Sequence, residues 1–119
     1  MKLWEKHCAP VDSHTPALSR SAARDLQGEI PRWSLVGKRI HREVKFRDFR
    51  RALEFVNRVG KLAESEGHHP DILIHSWNRV GLTLQTNAIH ALSENDFILA
   101  AKIDHLPGTG GRPPLKKRA

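Results

Sequence analysis

Residues 48–67 constrain the fold more than any other stretch of this chain. Phe49, Leu53, Val56, Gly60 and Ala63 recur at helical spacing, and Ala52, Phe55, Val59 and Leu62 widen the same stripe. Arg50, Glu54, Asn57, Arg58 and Lys61 hold the opposite side. Asp48 stands where an N-cap is wanted and Gly67 where the helix should stop. A helix with one broad apolar face must bury it against a second layer. The pattern therefore predicts a surface helix from Asp48 to about Glu66, lying on a sheet.

Short strands supply that sheet. Trp33-Ser34-Leu35-Val36, a Gly37-Lys38 turn and Arg39 to Phe46 read as one pair. Ile40, Val44 and Phe46 share a parity there, with His41, Glu43 and Lys45 opposite, and Arg42 breaks the alternation. Asp71 to Trp77 and Arg79 to Thr86 read as a second pair around a turn at Asn78-Arg79. Ser19 to Gln27 reads as a short helix capped by Ser19 and closed by Gly28. Ser93-Glu94-Asn95-Asp96 opens a last helix that runs to about His105 and is apolar over most of its circumference. Such a helix predicts a partner chain on its second side. The order strand, strand, helix, strand, strand, helix gives an α+β fold. It is a four-stranded, mostly antiparallel sheet with two main helices on one face, plus the short N-terminal helix.

The chain has 119 residues, enough for one domain with a modest core. Residues 1–17 read as a flexible leader, 18–106 as the single domain, and 107–119 as a disordered basic tail. No stretch approaches the roughly 20 apolar residues of a membrane span. The N-terminus lacks the apolar run of a secretory signal. A single cysteine, Cys8, excludes an internal disulfide, so the expected location is cytoplasmic. The net charge of +7 allows an acidic partner. No nucleic-acid motif accompanies it, so a nucleic-acid partner is not expected.

The chemistry concentrates at His68-His69-Pro70. Proline disfavours helix at the residue before it, so both imidazoles stand on a helix-to-strand corner. Imidazole is the side chain best suited to move protons near neutral pH. Glu64 lies four residues before His68, so on a continuing helix the two share a face. No cysteine pair and no His-x3-His spacing supports a metal site. Trp77 is expected as core, interface or pocket wall, and Asp96 as a cap or an orienting carboxylate.

These residues carry a resemblance. Glu64, three residues, His68-His69-Pro70, six residues, Trp77, nine residues, Asn87, eight residues and Asp96 resemble the pattern of the pterin-4a-carbinolamine (4a-hydroxytetrahydrobiopterin) dehydratases. The flanks Phe46-Arg47-Asp48-Phe49-Arg50-Arg51-Ala52-Leu53 and Leu92 to Ile103 are similar too, and the likeness spans about residues 18 to 105. The leader segment Glu5-Lys6-His7-Cys8 also looks like bacterial and plant members. The chain departs from the pattern at Asn87, where the family places its third catalytic histidine; His90 stands three residues on.

The resemblance implies the dehydration of a 4a-hydroxytetrahydropterin to the quinonoid dihydropterin, in tetrahydropterin recycling, without a cofactor. It implies catalytic places for His68, His69 and Asn87, and binding or orienting places for Glu64, Trp77 and Asp96. A homodimer or homotetramer is expected. A second implication is a non-catalytic member acting as a protein-binding or assembly factor. Some relatives that share the Glu-Gly-His-x-Pro-Asp and Trp-Asn segments assemble ribulose bisphosphate carboxylase, and Asn87 favours that class.

Overall fold

The structure, a computed structural model, describes residues 1–108. The basic tail expected at the C-terminus lies, from residue 109 on, outside the described residues. In chain order the elements are a 3-10 turn Leu3–Glu5, α1 (Arg20–Gln27), β1 (Ser34–Val36), β2 (Arg39–Lys45), α2 (Phe49–Glu66), β3 (Asp71–His75), β4 (Arg79–Leu84), a second 3-10 turn Asn87–Ile89, and α3 (Glu94–Asp104). The strands form one antiparallel sheet in the order β1-β2-β4-β3. This is the predicted α+β architecture, with α2 and α3 on one face. Among the described residues no helix is long and apolar enough to cross a membrane.

The core explains the register. Ile40 and Val44 of β2 and Val80, Leu82 and Leu84 of β4 are buried under Phe55 and Val59 of α2 and Phe97, Leu99 and Ile103 of α3. Arg42 broke the alternation in β2, and the structure shows why. It points into the core side, 3% exposed, and pairs with Asp104 at the end of α3. The Trp33 indole N–H donates to the same carboxylate at 2.9 Å. Burial pulls the Arg42 guanidinium down and pushes the Asp104 carboxyl up, against their mutual attraction.

Three local expectations change. The β3–β4 turn is not at Asn78-Arg79: His75 pairs with Arg79, leaving Ser76-Trp77-Asn78 as the loop. Ser76 and Trp77 take φ of 50° and 56°, a region that disfavours bulky side chains. The Asn78 side chain fixes that loop by donating to the Phe46 carbonyl at 2.8 Å. Residues 3–9, expected in a loose leader, lie along α3: Leu3 is 2% exposed, and Lys102 donates to the Trp4 carbonyl. This corrects the reading of α3. Its second apolar side is covered by the chain's own N-terminal segment, so that side does not call for a partner chain.

Candidate functional site

The corner after α2 is built by Gly67. Its left-handed conformation (φ 66°) ends the helix and returns its N–H to Ala63 and Glu64. The His68 N–H also returns to the Ala63 carbonyl, at 3.3 Å, so the chain reverses within two residues. Pro70 disfavours helix at His69, and β3 begins at Asp71.

That reversal separates the two histidines and corrects the expected pairing. His68 leaves the helical path, so it does not stack on Glu64. It turns inward, 6% exposed, and its Nε2 lies 2.6 Å from Asp96 Oδ1. His69 takes the place above Glu64 instead, with Nε2 at 2.5 Å from Glu64 Oε2, and both side chains are exposed.

Asp96 is fully buried and sits in the first turn of α3. Its second oxygen accepts from the Ser93 N–H at 3.0 Å and from the Thr86 hydroxyl at 2.7 Å. The Ser93 hydroxyl lies 2.6 Å from Thr86 Oγ1. Thr86 has one hydroxyl hydrogen and spends it on the carboxylate, so Ser93 is the donor between the two. With Thr86 and Ser93 donating to one oxygen and an imidazole against the other, the carboxylate places the ring proton of His68 on Nε2. The Nδ1 lone pair is then the free one.

β4 carries Thr86 and Asn87 back to this end of the sheet. Thr83 pairs with Asp71, and Thr86 forms a bridge with Ala91 just beyond. Asn87 opens the exposed 3-10 turn and His90 closes it in a left-handed conformation. Trp77 is not brought to the corner. It sits at the far tip of the β3–β4 hairpin, on the order of 15 Å of strand away, and is 62% exposed.

Thr86 and Ser93 are the Asp96 partners that sequence reasoning did not place at this site. The Ser93-x-x-Asp96 capping pattern was a signal for one of them; Thr86 read only as the end of a strand. A groove beside Glu64, between α2 and β3, is lined by Val56, Asn57, Gly60, Lys61 and Ile72.

A second cluster stands on the open face of the sheet. Glu43 meets His75 Nε2 at 2.8 Å and His41 Nε2 at 3.0 Å. Its carboxylate lies over Gly81, where any Cβ would come within 2.6 Å of Oε2. Burial raises the Glu43 carboxyl, but the two imidazoles outweigh it and hold it low. Among the described residues no group of His, Cys, Asp or Glu is arranged to hold a metal ion.

Comparison with known proteins identifies the family and the fold. A provisionally named pterin-4-alpha-carbinolamine dehydratase of Azoarcus sp. (strain BH72) is 46% identical over 92% of this chain and 94% of its own length. Pterin-4-alpha-carbinolamine dehydratase 2, mitochondrial, of Arabidopsis thaliana is 41% identical over 87% of this chain and 58% of its own length. Among solved structures, a transcriptional coactivator/pterin dehydratase from Brucella melitensis superposes with a TM-score of 0.69 at 30% identity, covering 74% of this chain and 95% of that one. A pterin dehydratase-like RuBisCO assembly factor of the alpha-carboxysome shares the fold, with a TM-score of 0.53 at 24% identity over 66% of this chain and 89% of that one. Residues 16–106 match the family described as Pterin 4 alpha carbinolamine dehydratase, and the chain belongs to that family.

Proposed function

We propose that this chain dehydrates a 4a-hydroxytetrahydropterin to the quinonoid dihydropterin and water. The buried His68–Asp96 pair carries the reading, because nothing about ending a helix calls for an imidazole turned inward onto a three-donor carboxylate. In the reaction the C4a–O bond breaks and the oxygen leaves as water after taking a proton. The adjacent ring nitrogen loses its proton as the new C=N bond forms.

His68, with its tautomer fixed by Asp96, exchanges a proton through its free Nδ1 edge. His69 is exposed and backed by Glu64, so it orients the pterin and passes protons to solvent. Each well-placed acid or base contributes about 10²–10⁴ in rate. Asn87 donates or accepts a hydrogen bond near the departing hydroxyl; an amide exchanges no proton at neutral pH. Cytoplasmic tetrahydropterin recycling is the setting we propose. For the homo-oligomer the candidate surface is the exposed side of α2, where Phe49 and Leu53 face solvent.

The test is a rate measurement on enzymatically generated 4a-hydroxytetrahydropterin. The wild type is expected to exceed the spontaneous rate, His68→Ala to lose the excess, and Asn87→His to gain on the wild type. A second reading, a non-catalytic assembly or binding protein, is favoured by Asn87 alone. A wild type no faster than the spontaneous reaction would select it.

A further inference from the structure

The N-terminal segment touches the two helix ends that make the His68–Asp96 pair. Glu66 is the last residue of α2, two positions before His68. Its side chain is only 6% exposed; Oε1 accepts from the Cys8 N–H at 2.7 Å and Oε2 lies 2.9 Å from His7 Nδ1. Lys102 of α3 approaches the same carboxylate at 3.6 Å. Asn95 is the residue before Asp96 and is 5% exposed. Its amide pairs with the Ala9 peptide at two points: Oδ1 accepts from Ala9 N at 2.9 Å, and Nδ2 donates to Ala9 O at 2.7 Å. The Cys8 thiol donates to the Asn95 carbonyl at 3.5 Å. Burial first, then Glu66 and Asp96, push that thiol up to about 12, so it stays a donor and is no nucleophile.

We propose that Cys8 and Ala9 form a brace between the C-terminal end of α2 and the N-terminal end of α3, and that Glu66 and Asn95 are positioning residues that set the His68–Asp96 geometry. The brace makes each of its side-chain bonds one or two residues from a member of the pair. A strap that only stabilised the fold would have no reason to choose those two places. An error of about 1 Å in such a pair can cost on the order of 100-fold in rate, so holding both helix ends matters to the chemistry.

The kinetic half of the test rests on the dehydratase reading; the spectroscopic half does not. Protein labelled with ¹⁵N-histidine reports the ring nitrogens of His68, assigned by comparison with His68→Gln. In the wild type we expect a protonated, slowly exchanging Nε2. In Asn95→Ala and Glu66→Ala that signal is expected to broaden or shift, while circular dichroism stays that of the folded protein. Glu66→Gln, whose amide oxygen still accepts the Cys8 N–H, recovers most of the wild-type signal.

In the same variants kcat is expected to fall about tenfold and KM to stay within about twofold. If Asn95→Ala does not fold, Asn95→Ser, whose short hydroxyl cannot span both Ala9 groups and adds no charge, is read in the same way. Folded Asn95 and Glu66 variants with wild-type His68 nitrogens would overturn the brace, whatever the activity assay gives. Shifted nitrogens in a protein without dehydratase activity would uphold the brace and remove the reaction.

Discussion

Replacing Asp96 with asparagine separates the two tasks of the buried carboxylate. At present one oxygen holds His68 Nε2 at 2.6 Å and the other takes Thr86 at 2.7 Å and Ser93 N–H at 3.0 Å. In Asp96→Asn the amide oxygen can still take Thr86 and Ser93, and the amide nitrogen faces the imidazole. His68 then accepts at Nε2, and its proton moves to Nδ1. The charge-assisted bonds become neutral and one amide hydrogen gains no acceptor, at a cost of about 2–3 kcal/mol. For a domain of this size that lowers Tm by about 8–12 °C. The catalytic loss is larger, about 10²–10⁴ in kcat, because the free lone pair now lies on the wrong nitrogen. Thermal melts and stopped-flow rates on the same preparation give both numbers. A variant with the predicted melt and a kcat within threefold of wild type would refute the reasoning and leave Asp96 as a cap for α3.

Other outcomes follow from single contacts. Gly67→Ala meets no atom but must hold φ 66°, so urea unfolding should show a loss of about 1 kcal/mol with little change in slope. Burial alone would raise the Glu66 carboxyl, but the Cys8 N–H, His7 and Lys102 hold it below its ordinary 4.5. A depressed carboxyl stabilises the fold above its unfolded value, and that part is lost as pH falls through the folded value. Urea midpoints of Glu66→Gln should therefore lie further below wild type at pH 7 than at pH 3; an equal gap at both would contradict the assignment. Arg42→Ala leaves the part-buried Asp104 with the Trp33 N–H but without its cation and should cost about 3 kcal/mol, at the low end for a broken buried pair. Trp77→Asn suits its left-handed backbone better than tryptophan and should raise stability by about 0.5–1 kcal/mol in the same assay.

The architecture was legible because periodicity changes cleanly along the chain. The stripe from Phe49 to Ala63 is long and Gly67 closes it, so α2 could be read almost to its ends. The corner itself was legible from Gly67 and Pro70. Its pairing was not, because a left-handed residue two positions before His69 turns His68 off the helical i+4 line, and spacing alone cannot carry that reversal. Arg42 showed only as a broken alternation, since the carboxylate that explains it is remote in sequence, at the end of α3. The apolar circumference of α3 pointed to another chain. Its cover came from Leu3 and its neighbours, whose segment has too short an element to show a period. Thr86 became visible only once the fold buried it against Asp96.

The most direct measurement of the central claim is the dehydration rate of wild type and His68→Ala at equal concentration, with folding of both verified by circular dichroism. The account predicts a wild-type rate well above the spontaneous one and a His68→Ala rate that falls back to it by at least about 100-fold in kcat. A folded His68→Ala protein that keeps the wild-type rate would contradict it.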